Sequence, residues 1–336
     1  MTQTTGHSTG AVGEVGPPPP FDAECAALLA AMAPMIPDPA QADWLERTRE
    51  MALDPSLCLD DEALARDGAY VVEERRVPGA PGGPEITLVI CTPADVQPGA
   101  PALYYTHGGG MVAGSSRMLL DRMLDLGRPH RAVVVAVEYR LAPEHPDPAP
   151  IEDCYAGLLW TAQHAAELRV DPGRIVLAGT SAGGGLAAGL ALLARDRGGP
   201  VPLGQMLGCP MLDDRNDSYS SRQMAAVGLW DRDTNAAGWQ ALLGERQGGD
   251  AVSPYSAPAR ATDLSGLPPA IIDACSTETF RDEAVTYATR IWQAGGRAEL
   301  HIWPGGFHGY EYTSNTALAH ATVQARQDWL SRLLLS

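Results

Sequence analysis

The sequence predicts an α/β fold in which a mainly parallel β-sheet is flanked by helices on both faces. Strand-like and helix-like stretches alternate through most of the chain beyond residue 132, and this alternation is typical of parallel sheets. The run AVVVAV at 132–137 is apolar without a break, as expected of a strand that is buried on both faces. A chain of 336 residues with 45% hydrophobic composition can bury a substantial core.

The first 66 residues have a different composition from the rest. Residues 1–20 are rich in Gly, Thr and Pro, and we predict that they form a disordered tail. Residues 21–66 show helical patterns that are interrupted by prolines such as Pro34 and Pro37. These short helices have little core of their own, so we expect them to cover another part of the molecule.

Beyond residue 66 the chain reads as a series of strands and helices. Strands are predicted at 70–77, 85–92, 102–107, 132–139, 174–178, 203–209, 269–274 and 298–303. Helices are predicted at 151–168, 181–195, 282–294 and 317–335. Between about 210 and 268 the alternation stops, which indicates an insertion on the side of the sheet where the strands end and where open α/β sheets bind ligands.

The overall composition excludes several classes of function. The formal net charge of −17 disfavours a nucleic acid or an anionic membrane surface as partner. The chain contains no lysine, which excludes Schiff-base and pyridoxal-phosphate catalysis, a phosphate-binding loop lysine and a Ser-x-x-Lys nucleophile. Its six cysteines form no C-x-x-C pair and are predicted to be buried, reduced thiols of a cytoplasmic protein. Neither a signal peptide nor a membrane span is recognisable.

Ser181 lies between a strand-like run and a helix-forming stretch. It is the central residue of G-x-S-x-G, and Gly179 and Gly183 flank it two residues away on either side. A strand, a tight turn and a helix in this order form a nucleophile elbow. The strained turn needs neighbours that lack a Cβ, which glycine provides. The pattern alone would also suit an ordinary glycine-rich turn, so the prediction of Ser181 as nucleophile depends on finding its partners.

A serine hydroxyl needs a histidine base, and the histidine needs a carboxylate to orient it. In enzymes with such an elbow, the acid and then the histidine follow the serine along the chain. His301 lies within a strand-like run, whereas His308 follows that strand in the glycine-rich PGGFHGYE. We predict His308 as the base.

The acid is expected in the loop after strand 269–274. That loop region offers Asp273, Glu278, Asp282 and Glu283. Asp273 is placed within the strand, and the last two open a helix, where carboxylates are favoured by the helix dipole. We predict Glu278 as the acid, with Asp282 as the alternative.

A group of glycines follows the strand that ends near residue 106. The sequence His107-Gly108-Gly109-Gly110 allows backbone N–H groups to converge on one point and, with the N–H of Ala182, to bind an oxyanion. A flexible loop explains the glycines but not their combination with an elbow and a late histidine. A phosphate cradle is disfavoured because the chain has no lysine.

Five motifs together resemble those of the hormone-sensitive-lipase-like carboxylesterases, the bacterial family IV of the α/β-hydrolase superfamily. The motifs are HGGG at 107–110, YRLAPEHP at 139–146, GTSAGG at 179–184, FRDE at 280–283 and GGFHGYE at 305–311. The similarity extends from about residue 70 to the C-terminus, and GTSAG resembles one branch of the family.

The resemblance implies an eight-stranded α/β-hydrolase sheet with a helical cap. The cap would consist of 21–66 and 211–248, and the catalytic domain of 67–210 and 249–336. In such enzymes the second and third glycines of HGGG and the residue after the serine form the oxyanion hole. Here these are Gly109, Gly110 and Ala182.

The chain departs from the family pattern at two positions. The family acid is most often Asp, where this chain has Glu278, so the reach of the acid differs. Asp147 stands where the family usually has an aromatic residue after YRLAPEHP, which alters packing or charge near that turn.

Two other patterns are weaker. Gly183, Gly185 and Ala188 spell G-x-G-x-x-A, but a dinucleotide site requires the first βα turn and an acidic residue about twenty positions later. The acidic run DDRND at 213–217 lacks the glycine and glutamate of a calcium loop, and we interpret it as a solvated loop. No cofactor and no metal are therefore predicted. The pocket candidates are the large side chains of the helical segments, Met32, Met35, Met224, Trp230 and Trp239.

The sequence thus predicts a serine carboxylesterase that hydrolyses small, short-chain esters through an acyl-enzyme on Ser181. The same groups also serve hydrolysis or transfer at an amide, formamide, carbamate or lactone. A protein of another class, a non-catalytic binding protein on a hydrolase scaffold, would typically have lost the serine or the histidine. A small-molecule ester is the expected partner, and a homodimer is left open.

Overall fold

The computed structural model of the protein describes residues 15–313 and 316–335. Within them, eight strands form one sheet. They are β1 (Tyr70–Val77), β2 (Ile86–Pro93), β3 (Ala100–Thr106), β4 (Val133–Glu138), β5 (Val170–Thr180), β6 (Gly204–Gly208), β7 (Ala270–Cys275) and β8 (Ala298–Trp303). Their order in the sheet is β1-β2-β4-β3-β5-β6-β7-β8. Only the pairs made by β2 are antiparallel, which confirms the mainly parallel eight-stranded sheet.

The helices precede the sheet, connect its strands and end the chain. They are α1 (Ala23–Met32), α2 (Trp44–Ala52), α3 (Asp61–Ala65), α4 (Leu120–Gly127), α5 (Ala149–Gln163), α6 (Ala182–Asp196), α7 (Tyr219–Gln223), α8 (Arg232–Leu243), α9 (Arg281–Gln293), α10 (Tyr310–Thr313) and α11 (Ala317–Leu335). None of the helices within the described ranges is both long and apolar enough to cross a bilayer. Of the predicted disordered tail, residues 1–14 lie outside the described residues, and 15–20 have no regular secondary structure.

Helix α4 was not predicted from the sequence. Its preceding residue is Leu119, which has φ 57° and makes no side-chain capping bond. The usual start signal of a helix, a small polar residue that caps its first N–H groups, is therefore missing. The predicted helix 151–168 was also too long. Helix α5 ends at Gln163, and the next residue, His164, has φ −103° and ψ 16°, outside the α-helical range.

The central strand β4 is buried on both faces, as its sequence predicts. Val133, Val135 and Val137 pack into the core on the side of α5, α6 and α9. Val134 and Ala136 pack on the opposite side, with α4 and α11. Strand residues point alternately to the two faces, so an uninterrupted apolar run fills both layers of core.

The topology brings one set of loops together. Strands β3 to β8 run parallel to one another, so the loops that follow their last residues share one edge of the sheet. Two helical segments lie outside this alternation, α1 to α3 before β1 and α7 with α8 after β6. The assignment of these segments to a cap, with the domain limits given above, stays a prediction.

Candidate active site

Ser181 lies at the junction of β5 and α6. Its backbone angles are φ 59° and ψ −126°, a strained conformation that costs a non-glycine residue about 1–3 kcal/mol. The elbow leaves no room for side chains beside the serine. A Cβ on Gly179 would lie 2.2 Å from the Gly183 carbonyl oxygen, and one on Gly183 would lie 2.0 Å from that of Thr106. The glycine spacing is therefore required by packing.

The base predicted from the sequence faces this serine. The distance from His308 Nε2 to Ser181 Oγ is 2.9 Å, which is a hydrogen bond. His308 follows β8 in a loop whose Gly305 and Gly309 have φ of 77° and 84°, and its imidazole packs in a T-shaped arrangement with the Phe280 ring at 4.9 Å between ring centres. Both Ser181 and His308 are buried, so bulk water competes little for their hydrogen bond.

Glu278 lies on the other side of the imidazole. Its Oε1 is 3.6 Å from His308 Nδ1, slightly beyond hydrogen-bonding distance. Its Oε2 accepts a 2.9 Å hydrogen bond from the Cys275 N–H. Among the described residues neither Glu278 Oε1 nor His308 Nδ1 has a closer partner. Such contacts are often long in ligand-free enzymes.

The alternative acid, Asp282, is engaged elsewhere. Its carboxylate accepts a 2.7 Å bond from the Ser220 N–H and pairs with Arg281, so it joins α9 to α7. Glu283 is also occupied, since it accepts a 3.0 Å bond from the Leu212 N–H. Burial raises the pKa of the Glu283 carboxyl well above its usual value. Of the four candidate carboxylates, Glu278 is the one that pairs with His308.

The glycine loop after β3 lies against the serine. A Cβ on Gly108 would be 3.5 Å from Ser181 Cβ. Gly109 and Gly110 have φ of 108° and 62°. Within the described part of the chain, the N–H groups of Gly109, Gly110 and Ala182 donate to no backbone carbonyl, so they are available to an oxyanion.

His107 supports this loop from behind, a contact that the sequence did not reveal. Its ring stacks on Tyr139 at 4.1 Å between ring centres, and the Tyr139 hydroxyl donates a 2.8 Å bond to the His107 carbonyl. His107 Nδ1 lies 2.7 Å from the Gly108 carbonyl, to which it donates. Burial lowers the pKa of His107, so the ring stays neutral. The only sequence signal was the joint presence of HGGG and YRLAPEHP.

A mainly apolar cavity of about 160 Å³ opens beside Ser181 and His308. Its lining from the helical segments includes Met32, Met51 and Trp230. The Trp230 ring stands over the glycine loop, because a Cβ on Gly110 would lie 2.2 Å from its Cη2. Thr48, Leu57, Met118, Leu119 and Leu229 also line the cavity, and no motif pointed to them.

Three of the five pocket candidates do not line this cavity. Met35 is 60% exposed, because it follows α1 on an outer turn. Met224 is buried and packs near Gly228. Trp239 lies on the inner face of α8 in the main core. Large side chains in a helical segment can fill core or pocket equally well, and the sequence does not distinguish these roles.

The structure shows the surroundings of two acidic residues that the sequence analysis singled out, Asp214 and Asp147. Asp214, interpreted above as part of a solvated loop, is fully buried. It pairs with Arg260 and accepts a 2.7 Å bond from the Gly248 N–H, so this part of the interpretation is wrong. Asp147 pairs with Arg246 at 2.8 Å and thereby ties the loop before α5 to the end of the segment that contains α8.

Comparisons with known proteins agree with this architecture. A family model described as the alpha/beta hydrolase fold matches residues 103–312. Carboxylesterase NlhH of Mycobacterium tuberculosis is 39% identical over 249 residues, which are 71% of this chain and 75% of that protein. A solved structure, a bacterial heroin esterase, superposes with a TM-score of 0.85 at 37% identity and covers 94% of this chain and 98% of its own. The esterase from Pyrobaculum calidifontis gives 0.79 at 32% identity, over 94% and 100%.

Proposed function

We propose how catalysis proceeds from the premise that the chain belongs to the α/β-hydrolase family, among its hormone-sensitive-lipase-like carboxylesterases, and is a carboxylic ester hydrolase. In this proposal Ser181 is the nucleophile, His308 the base and Glu278 the acid that orients the imidazole. The observation that carries it is the 2.9 Å contact between His308 Nε2 and Ser181 Oγ at a strained elbow. The GTSAG branch stays a prediction.

The proposed reaction has two halves. His308 Nε2 takes the proton of Ser181 as Oγ attacks the ester carbonyl, and it then donates that proton to the leaving alcohol. Water, activated by the same imidazole, releases the acid from the acyl-enzyme. Glu278 stabilises the positive charge that the imidazole carries in each half. The N–H groups of Gly109, Gly110 and Ala182 bind the oxyanion of both tetrahedral intermediates.

The cavity supports small esters with short acyl chains as substrates. Its volume of about 160 Å³ accommodates a few methylene groups, and its methionines and Trp230 provide an apolar wall. A short acyl chain would exchange water for these side chains, a gain of about 0.8 kcal/mol per methylene. A cytoplasmic location and a homodimer remain further parts of this proposal.

Replacing Ser181 with alanine tests the proposal directly. We expect Ser181→Ala to lower kcat for p-nitrophenyl butyrate by at least about 10⁴-fold, because no nucleophile remains. A fluorophosphonate probe should label the wild-type protein and not the variant. Ser115→Ala is the control, since Ser115 bonds to Cys58 and should keep both activity and labelling.

Three outcomes would contradict the proposal. Equal turnover by Ser181→Ala and wild type would remove Ser181 as the nucleophile. A panel that pairs each ester with the corresponding amide and lactone tests the bond cleaved, and faster hydrolysis of the amide would replace the ester as substrate. Absence of labelling in the wild type would support a binding role.

A further inference from the structure

A buried cysteine lies beside the proposed triad without taking part in it. Cys209 directly follows β6, has φ 39° and donates its N–H to the Asp273 carbonyl at 2.7 Å. Its sulfur, a nitrogen of His308 and a carboxylate oxygen of Glu278 all lie within 4.8 Å of one another. The three side chains come from the loops after β6, β7 and β8, so only the fold brings them together.

Two atoms of this group have no hydrogen-bond partner among the described residues. These are His308 Nδ1 and Glu278 Oε1, on side chains that are 9% and 0% exposed. The two atoms face each other at 3.6 Å, so one cation bound by both would give each of them a partner. The nearby carboxylates of Asp273 and Glu311 are already paired with the buried Arg326, so Glu278 is the carboxylate of this group that is available to a ligand.

We propose that Cys209, His308 and Glu278 form an inhibitory site for a thiophilic divalent cation such as Zn²⁺ or Cd²⁺. A thiolate, an imidazole nitrogen and a carboxylate oxygen are ligands that Zn²⁺ binds in proteins, and three of them leave a fourth position for water. The cation would enter through the cavity that His308 lines. The inhibitory effect depends on the proposed function, whereas binding of the cation does not.

The protons explain why binding would stop hydrolysis. The metal–sulfur bond replaces the S–H bond, and that proton leaves to solvent. Coordination through His308 Nδ1 requires the lone pair on that atom, so the proton of the neutral ring moves to Nε2. An imidazole that carries its proton on Nε2 cannot accept the proton of Ser181. The metal therefore removes the base without blocking the serine, and about one proton is released per cation.

The first experiment measures inhibition by ZnCl₂ in wild type, Cys209→Ala, Cys209→Ser and Cys58→Ala. Each rate is normalised to the metal-free rate of the same variant. We expect both Cys209 variants to need at least about tenfold more Zn²⁺ for half inhibition, since the thiolate ligand is lost. Cys58 is the more exposed of the two thiols but does not belong to the group of three ligands, so Cys58→Ala should behave like the wild type. Mg²⁺ should not inhibit, and EDTA should restore activity.

The second experiment detects the site without hydrolysis. Co²⁺ added to Ser181→Ala protein should give a thiolate-to-cobalt charge-transfer band in the near ultraviolet. The double variant Ser181→Ala/Cys209→Ala should not show this band. A pH indicator should report about one proton released per Zn²⁺ in the wild type, a measurement that does not depend on how well a variant folds. Because Ser181→Ala needs no activity for this readout, failure of the triad proposal and failure of the metal proposal are distinguishable.

Three experimental results would each overturn the proposed cation site. Half inhibition at the same Zn²⁺ concentration in Cys209→Ser and wild type would exclude the thiol as a ligand. A tenfold shift in Cys58→Ala would move the site to Cys58. No proton release by the wild type on Zn²⁺ addition would exclude the site even if both Cys209 variants failed to fold.

Discussion

The two sides of the active-site cavity are built differently. On the sheet side, backbone constraints hold Ser181, whose strained φ is maintained by glycines with no room for a Cβ. His308 on the same side is held by its hydrogen bond to the serine and its contact with Phe280. On the helical side the wall consists of Met32, Met51 and other apolar side chains. No comparable network of hydrogen bonds fixes those two methionines within the described residues.

We infer from this difference that the sheet side carries out the reaction and that the helical side selects among substrates. Groups that must transfer a proton need positions defined to a fraction of an ångström, and rigid strand ends provide such positions. A wall of flexible methionines adapts to different acyl groups at little cost. We therefore expect substitutions on the sheet side to change kcat strongly and substitutions on the helical side to change mainly the preference between substrates.

The largest effect in this comparison is expected for Glu278. Glu278→Gln should lower kcat for p-nitrophenyl butyrate on the order of 10³-fold, because the neutral amide no longer stabilises the imidazolium. Asp282→Asn is the matched control, since Asp282 bonds to α7 rather than to His308. A greater loss in Asp282→Asn than in Glu278→Gln would reassign the acid. Steady-state kinetics with circular dichroism of both variants would decide.

The next effect concerns the glycine loop. Gly110→Ala places a Cβ 2.2 Å from the Trp230 ring at a φ of 62°, so the loop or the tryptophan must move. We expect kcat to fall on the order of 10²-fold, as when one oxyanion donor is lost. Gly99→Ala is the control, because Gly99 has φ 80° but nothing within 4 Å of a Cβ.

Both glycine variants place an alanine at a positive φ, but only Gly110→Ala brings a Cβ into collision with the Trp230 ring. Their unfolding temperatures, measured together with kcat, would show whether strain alone explains a loss. Similar kcat values in both variants would argue against a role of Gly110 in the reaction.

The smallest effect is expected on the helical side. Met32→Ala enlarges the cavity, so the ratio of kcat/KM for p-nitrophenyl hexanoate to that for the acetate should rise about tenfold. Met35→Ala is the control three residues along the chain, because Met35 is largely exposed. Met35→Ala should leave the ratio of kcat/KM values unchanged. A change in kcat with every ester, rather than in the ratio, would mean that the helical side also positions the catalytic groups.

Short-range patterns explain why much of this was predictable. The glycines around Ser181 and those before His308 are needed for local backbone geometry, and such needs are visible in the sequence. The order of strands and helices follows from hydrophobic periodicity. Helix α4 was missed because Leu119 begins it without a capping side chain. Asp214 was misjudged because its partner Arg260 is distant in sequence.

The residues that we propose for the chemistry could be named from the sequence, because each one must satisfy a local rule of spacing or backbone conformation. Ser181, His308 and the acid-bearing loop belong to this group. Which side chains line the cavity was decided only by the tertiary structure, as Met32 and Met35 show. The approach of Cys209 to His308 and Glu278 likewise required the folded chain. Burial and contacts between distant segments depend on how the helices pack on the sheet. This packing cannot be read from the order of residues along the chain.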